Sequence, residues 1–275
     1  MKKFITLSLI MIMSVTVLAS CTSTKTTTSN TTSQTVGTLK IGVDDSYPPM
    51  EYKDEKNTTI GFDIDLAKEI GKKMNMEVVF VSTAWDGIFQ ALKTDKFDCI
   101  ISSVSMTSVR VADYTFTKAY IANSQMIVVK PDNNSILTPE DLAGKNVGYQ
   151  VATTANESAD KLQAKGTKFA SVKAYDQIIQ PFSDMKAGRI DAIIVDEVVG
   201  QYYIGQDKAS FKAASAKLTN EPIGVCLKKG NTVLQGKIQT AIDDMVADGT
   251  MKQISMKWFN ADLTSNIDTV LKEMN

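Results

Sequence analysis

Short apolar runs alternate with amphipathic segments along most of the chain, from about residue 38 to about residue 260. Runs such as 39–43, 77–81 and 99–101 have the length and the β-branched content of buried strands. Segments such as 62–74 and 85–93 repeat apolar residues at the spacing of one helix face. This alternation predicts an α/β fold in which mostly parallel sheets are flanked by helices.

One helix-and-strand segment occurs twice in the chain. Residues 89–101 align without gaps on residues 182–194, and a Phe, a Lys, an Asp and two Ile coincide. The first copy is followed by serines and then by Arg110, whereas the second is followed by Asp196 and Glu197. Ligands of open α/β sheets bind beyond the carboxyl ends of the strands. We therefore expect two similar α/β units, one offering hydroxyls and a cation and the other carboxylates, which together complement a small zwitterion.

Further polar and aromatic residues follow other predicted strands. Asp44 and Tyr47 lie on a loop that Pro48–Pro49 stiffens. Trp85 follows the next strand, and Asp86 is the predicted N-cap of the helix after it. These residues are candidates for the same ligand site, although turn chemistry and core packing are alternative roles for them.

A second anion-binding element is predicted where Thr153 and Thr154 open a helix. Free N–H groups at a helix start attract an anion, so this helix offers a ligand carboxylate an anchor opposite Arg110. The threonines alternatively cap their own helix and do nothing more. Cys99 and Cys226 lie in apolar runs and are expected as buried thiols; their spacing leaves open whether they pair.

Composition limits the possible functions. The chain has 275 residues, enough for two modest domains, and a formal net charge of −1, which argues against a nucleic-acid partner. It contains no histidine, which excludes Ser-His-Asp and Cys-His catalysis and His-ligated zinc. We expect neither a cofactor nor a bound metal.

The N-terminus has the features of an export signal. Two lysines precede an apolar run over 4–19, which is shorter than the roughly 20 apolar residues of a membrane span. Leu-Ala-Ser-Cys21 resembles the lipobox of bacterial lipoproteins, which implies a signal peptide over 1–20 and a lipid on Cys21. A plain secretory signal with an incidental cysteine is the alternative. The Thr/Ser-rich stretch 21–37 has almost nothing to bury and is predicted to be a disordered tether.

Five motifs in a fixed order resemble the polar amino-acid-binding proteins of bacterial ABC importers, the extracellular solute-binding proteins of family 3. The resemblance covers about residues 38 to 260. The motifs are Ile41-Gly-Val-Asp44-Asp-Ser-Tyr47-Pro-Pro, Gly61-Phe-Asp-Ile-Asp-Leu66-Ala, Trp85-Asp-Gly87, Phe97-Asp98-Cys-Ile-Ile-Ser-Ser-Val-Ser105-Met-Thr107 with Arg110, and Gly148-Tyr-Gln150-Val-Ala-Thr153-Thr154.

The resemblance implies a two-lobed fold of the type II periplasmic-binding-protein kind. Lobe 1 would comprise 38–122 and 221–275, lobe 2 would comprise 123–220, and two crossing segments would form the hinge. It also implies a monomer at the extracytoplasmic face of the cell membrane, held there by its N-terminal lipid. Its partners would be a free L-amino acid and the permease subunits of an ABC transporter.

The ligand contacts implied by the resemblance begin with the backbone groups of the amino acid. Arg110 would hold the α-carboxylate with both arms of its guanidinium, and the N–H groups of Ser105 and Thr154 would assist. Asp196 would accept the α-ammonium, with Ser103 beside it.

The remaining implied contacts concern the ligand side chain. Tyr47 and Trp85 would flank it, and Asp44 and Gln150 would lie near its tip. Ala152 departs from the family pattern, which commonly has glycine before the threonine pair, and its β-carbon is expected to narrow the approach to the ligand.

Charge arithmetic favours arginine or lysine as the ligand. If Arg110 balances the ligand carboxylate and Asp196 its ammonium, Asp44 stays unpaired, and a cationic side chain complements it. Further acids are expected near the site at Asp45, Asp86 and Glu197. If Asp44 instead bonds backbone N–H groups, a neutral ligand such as glutamine or cystine suffices. An enzyme of the dehydratase kind on the same fold is the alternative from another class.

Overall fold

A computed structural model describes residues 37–265 and residue 267. The predicted signal peptide, Cys21 and nearly all of the predicted tether lie outside the described residues. Within the described part of the chain, no helix is both long and apolar enough to cross a bilayer.

The described chain alternates strands and helices, as the apolar pattern predicts. The strands are β1 (Gly37–Val43), β2 (Ser46–Tyr47), β3 (Glu51–Lys53), β4 (Thr59–Ile60), β5 (Met76–Ser82), β6 (Cys99–Ile100), β7 (Tyr114–Phe116), β8 (Ile121–Val129), β9 (Asn146–Gln150), β10 (Ser171–Tyr175), β11 (Ala192–Asp196), β12 (Lys212–Ile223) and β13 (Cys226–Lys228). The helices are α1 (Phe62–Lys73), α2 (Trp85–Lys93), α3 (Ser108–Asp113), α4 (Thr154–Ala164), α5 (Ile179–Lys186), α6 (Glu197–Gln206), α7 (Thr232–Ala247) and α8 (Thr250–Phe259), with a 3₁₀ turn at Pro139–Leu142.

The first large sheet has the strand order β5-β1-β6-β13-β7. β1 pairs in parallel with β5 and β6, whereas β13 returns antiparallel between β6 and β7. The prediction of a buried parallel strand at 99–101 is therefore confirmed. Cys99 and Cys226 lie on the neighbouring strands β6 and β13 as buried, free thiols. We call this sheet with its helices lobe 1.

The second large sheet has the order β10-β9-β11-β8-β12, and with its helices it forms lobe 2. The repeated segment is helix α2 with strand β6 in lobe 1 and helix α5 with strand β11 in lobe 2. β6 and β11 each occupy the third position of their sheets. The internal repeat therefore corresponds to two α/β units of similar plan.

Two crossing strands join the lobes. β8 and β12 pair antiparallel from Ile121↔Ile223 to Lys212↔Val129. At the lobe 1 end, the Tyr120 N–H donates to the Ile223 carbonyl, and the Gly224 N–H donates to the Val104 carbonyl. This arrangement confirms the two-lobed fold class. The predicted boundaries at 122/123 and 220/221 fall inside β8 and β12, and the division of the chain at those residues stays a prediction.

The predicted N-cap of α2 is wrong. Ala84 is the N-cap, the helix begins at Trp85, and Asp86 lies in its first turn. An acidic residue in the first turn still interacts favourably with the helix dipole, so the residue type fits the position without capping it.

Candidate functional site

A small cavity lies between the lobes, at the carboxyl ends of β6 and β11. It encloses about 10 Å³, room for about one water molecule. Seven of the nine residues predicted for ligand binding line it, together with three that were not predicted. The predicted ones are Tyr47, Trp85, Ser103, Ser105, Arg110, Thr154 and Asp196, and the others are Glu51, Ser102 and Thr153.

Arg110 is a buried cation with few partners. It lies in the short helix α3, whose N-cap Thr107 accepts a hydrogen bond from the Arg110 N–H. The guanidinium donates one hydrogen bond, to the Ser105 carbonyl at 3.2 Å, and its carbon lies 5.6 Å and 5.0 Å from the ring centres of Trp85 and Phe89. No described carboxylate pairs with it, and burial lowers its pKa. Its remaining donors have no hydrogen-bond partner among the described residues.

Two backbone N–H groups at the cavity also lack hydrogen-bond partners among the described residues. Thr153 caps α4 by accepting from the Asn156 N–H, as the predicted helix start requires. The N–H groups of Thr154 and Ser105 have no hydrogen-bond partner among residues 37–265. Together with Arg110, they give one end of the cavity the donors that a carboxylate needs.

Asp196 lies at the other end, where β11 ends. Its carboxylate accepts hydrogen bonds from the Tyr47 hydroxyl at 2.7 Å, from the Ser103 hydroxyl at 3.4 Å and from the Gln125 amide. Burial, and then the charge of Glu221, raise the pKa of Asp196 to about 6. An ammonium group beside Asp196 would offset this burial and favour the ionised carboxylate.

Asp44 and Gln150 do not line the cavity. They contact each other across the two lobes, the Gln150 amide donating to Asp44 at 2.9 Å, and Ser46 donates to the second Asp44 oxygen at 2.6 Å. Burial raises the pKa of Asp44. Asp44 is therefore bonded by neutral side-chain donors in this conformation and has no cationic partner within the described part of the chain.

The three further acids expected near the site lie elsewhere. Asp45 forms an ion pair with Lys53 at 2.9 Å, and Asp86 is exposed to solvent. Glu197 accepts from the Ser124 hydroxyl and lines a different, larger cavity of about 730 Å³ between α6 and the end of α8. None of these three acids lines the candidate cavity, so none of them supports a cationic ligand side chain.

A buried pair of carboxyl groups, one lining the cavity and one behind it, was not predicted. Glu51 and Asp63 are both fully buried. Ser102 donates to Glu51 at 2.7 Å, and Asp63 accepts from the Ser103 N–H at 2.7 Å and from the Tyr120 hydroxyl at 2.9 Å. Burial and then the charge of Asp63 raise the pKa of Glu51 well above its usual range, and burial raises the pKa of Asp63 to about 6. Burial therefore favours the protonated form of both acids.

Gln125 and Glu221, on the crossing strands, were also missed. The Gln125 amide donates to Asp196, to the Thr154 hydroxyl at 3.0 Å and to Glu221 at 3.2 Å. In the sequence both residues resemble ordinary polar positions of a half-exposed strand. Only Pro222, which interrupts the pattern beside Glu221, marked this segment as unusual.

Ala152 has a backbone role different from the expected one. Its φ is +59°, a left-handed conformation that glycine adopts at lower cost, which accounts for the glycine common in the family. Its side chain is exposed and does not line the cavity, and its carbonyl accepts from the Trp85 indole N–H at 2.9 Å. The β-carbon therefore strains the turn without narrowing the cavity.

The model of one protein family, bacterial extracellular solute-binding proteins, family 3, matches residues 39–261. The chain belongs to this family. The match spans both lobes and the crossing strands, and it confirms the resemblance drawn from the five motifs.

The chain is similar to proteins that are named for binding different amino acids. The histidine-binding periplasmic protein of Escherichia coli (strain K12) is 35% identical over 239 residues, 82% of this chain and 88% of the relative. The L-cystine-binding protein TcyJ of the same strain is 31% identical over 229 residues, 83% of this chain and 85% of the relative. An ancestral arginine-binding protein, solved bound to arginine, is 38% identical with a TM-score of 0.77, covering 81% of this chain and 98% of that one. An ancestral arginine-binding protein solved bound to glutamine is 39% identical with a TM-score of 0.76, covering 82% of this chain and 99% of that one.

Proposed function

We propose that this protein is a lipid-anchored receptor that binds one free polar amino acid between its lobes and delivers it to an ABC permease. It acts at the extracytoplasmic face of the bacterial cell membrane, where Cys21 carries the lipid. Arginine or lysine is the favoured ligand; glutamine or cystine is the alternative. The relatives described above are named for binding amino acids, which supports a receptor over an enzyme.

The main observation behind this proposal is that Arg110 is buried without a carboxylate partner among the described residues. A buried guanidinium that lacks a carboxylate partner is costly to fold, and a ligand carboxylate is the partner it lacks. The N–H groups of Ser105 and Thr154 are two further donors for the same ligand carboxylate. The carboxylate of Asp196, at the other end of the cavity, can accept from a ligand ammonium. An α-amino acid carries the two complementary charges on adjacent groups.

The charge of the ligand side chain follows from the acids around the cavity. Besides Asp196, the carboxyl group of Glu51 lines the cavity. Glu221, Asp44 and Asp63 are each hydrogen-bonded to a residue that lines it. Arg110 is the cation that lines it. A cationic side chain reduces this excess of acid, and the aromatic faces of Tyr47 and Trp85 suit a guanidinium.

Ligand entry requires motion. A cavity of about 10 Å³ does not hold an amino acid, so binding needs the lobes to part and then to close on the ligand. The contacts that would break on opening include Tyr47 to Asp196, Gln150 to Asp44, and the Trp85 indole to the Ala152 carbonyl. The ligand replaces part of these contacts when the lobes close.

Calorimetric titration of protein refolded without ligand tests the proposal. We expect arginine or lysine to bind more tightly than glutamine, cystine and histidine. Citrulline is the matched control for arginine, because it has nearly the same shape and no side-chain charge. If citrulline or glutamine binds as tightly as arginine, the cationic preference is wrong and the neutral alternative holds. If none of the twenty amino acids, cystine or ornithine binds, the receptor proposal itself is wrong.

A further inference from the structure

Glu221 is a buried carboxylate on the crossing strand β12, just outside the cavity lining. Its relative exposure is 7%. Neither the family resemblance nor the cavity lining gives it a role. Its bonds connect the two lobes.

One oxygen of Glu221, Oε2, accepts hydrogen bonds from residues of both lobes. The Ser105 hydroxyl, at the end of lobe 1, donates to it at 2.7 Å, and the Thr154 hydroxyl, at the start of α4 in lobe 2, donates at 2.8 Å. The Gln125 amide donates to the same oxygen at 3.2 Å, and the Thr219 hydroxyl donates to Oε1 at 2.8 Å. Hydrogen bonds to a carboxylate are stronger than those between neutral groups.

We infer that Glu221 is a positioning residue that holds the two halves of the ligand's carboxylate site together when the lobes close. This inference rests on the proposed function. Ser105 and Thr154 turn their hydroxyls towards Glu221, while their backbone N–H groups stay without a partner. The Ser105 carbonyl also accepts from the Arg110 guanidinium. Glu221 thus places the carboxylate-binding donors without touching the ligand.

This role predicts a particular pattern of binding losses. Glu221→Gln removes the negative charge and leaves one neutral carbonyl oxygen, so the bonds from the two hydroxyls lose their charge-assisted strength. Because the α-carboxylate is common to all amino acids, the affinity falls by a similar factor for arginine and for weaker ligands. Selectivity between amino acids stays unchanged. We also expect faster ligand release, since the bridge forms only in the closed conformation.

A double-mutant cycle measured by calorimetry with arginine tests the bridge. Thr154→Val removes the hydroxyl and keeps the backbone N–H. Each single variant is expected to lose roughly 10-fold or more in affinity. The double variant is expected to bind no worse than Glu221→Gln alone to within about two-fold, because Thr154→Val removes a bond that Glu221→Gln has already weakened. Glu140→Gln, an exposed glutamate on lobe 2, is the control and should bind as wild type does.

Three results would overturn the inference: wild-type affinity in Glu221→Gln, losses that add in the double variant, or a change in the ranking of amino acids. If Glu221→Gln does not fold, Thr154→Val alone decides, and wild-type affinity there refutes the bridge. If the wild-type protein binds no amino acid, the proposed function fails and this inference fails with it. Wild-type binding combined with an unaffected Glu221→Gln variant refutes only the inference.

Discussion

At the scale of single residues, Arg110 is a buried cation with no carboxylate partner among the described residues. Arg110→Ala is expected to reduce binding of every amino acid by roughly 10²–10³-fold or more, since it leaves a ligand carboxylate buried without its cation. Arg110→Lys should also bind poorly, because an ammonium cannot form the two parallel hydrogen bonds of a guanidinium. Calorimetry with the ligand identified in the screen measures both.

Arg189, the other arginine of the chain, is the matched control. It is exposed and forms an ion pair with Asp184, outside the candidate cavity. Arg189→Ala should therefore bind as wild type does. A loss of less than about tenfold in Arg110→Ala would refute Arg110 as the carboxylate partner, since a buried ion pair is worth more than that.

At the scale of elements, the junction of β4 and α1 places Asp63 beside Glu51. The first N–H groups of α1, at Phe62 and Asp63, donate to the Pro49 and Met50 carbonyls at 3.0 Å and 2.9 Å. Gly61 makes this close approach possible. Its φ is +142°, and a β-carbon there would overlap the Met50 carbonyl and lie 2.8 Å from the Glu51 Cα. The helix start and β3 can therefore only pack in this way around a glycine.

Gly61→Ala is expected to lower the free energy of unfolding by about 1–3 kcal/mol or more, because the backbone must shift to admit the methyl group. Gly236→Ala, within α7, is the control, because a β-carbon there meets open space. Alanine is favoured over glycine inside a helix, so the free energy of unfolding should rise by about 0.5–1 kcal/mol. Urea unfolding of both variants measures the difference. Equal stability of the two variants would contradict this account of the junction.

At the scale of the whole molecule, the buried carboxyl pair links stability to pH. Asp63 has a pKa of about 6 in the folded protein, raised by burial, against a usual value of 3.8. The folded state therefore holds a proton that the unfolded chain has lost, and stability falls as pH rises from about 4 through 6. The ligand-free protein should melt a few degrees higher at pH 5.5 than at pH 7.5.

Asp63→Asn removes this titration and should shrink the difference in melting temperature. The carbonyl oxygen of asparagine can still accept from Ser103 or Tyr120, so packing is largely kept. Asp248→Asn is the control, since the hydrogen bond from Lys73 lowers the pKa of Asp248 and places its titration below this window. An undiminished pH dependence in Asp63→Asn would exclude Asp63 as its source.

Membrane attachment is also a property of the whole molecule, and it depends on Cys21. Cys21→Ser is expected to release the protein into the medium or leave its signal peptide uncleaved, because the Thr/Ser-rich stretch after it has no apolar face to bind a membrane. Amino-acid binding by the soluble domain should stay at the wild-type level. Membrane fractionation that finds the serine variant fully processed and anchored would refute the lipid attachment.

Much of the fold and part of the site followed from local pattern. The apolar run at 99–101 ends at serines, and the repeat places Asp196 at the corresponding strand end of the second lobe. Strand ends of α/β units face a common cleft, so Ser103, Ser105 and Asp196 were expected together and line one cavity. Local spacing was sufficient for this prediction. Where strands and helices alternate along the chain, the loop that follows a strand lies at that strand's carboxyl end.

Tertiary structure alone decided the partners of the buried acids. Glu51, Asp63 and Glu221 have the residue type of a solvated surface, and an isolated acid carries no sign of burial. Glu221 meets Ser105 across 116 positions in sequence, through the antiparallel bridge between Ser105 and Ile223. Such contacts depend on the order of strands and on how closely the lobes approach. The sequence by itself determined which groups gather at the cleft; the tertiary structure decided which carboxylates they bond, because long-range packing sets those distances.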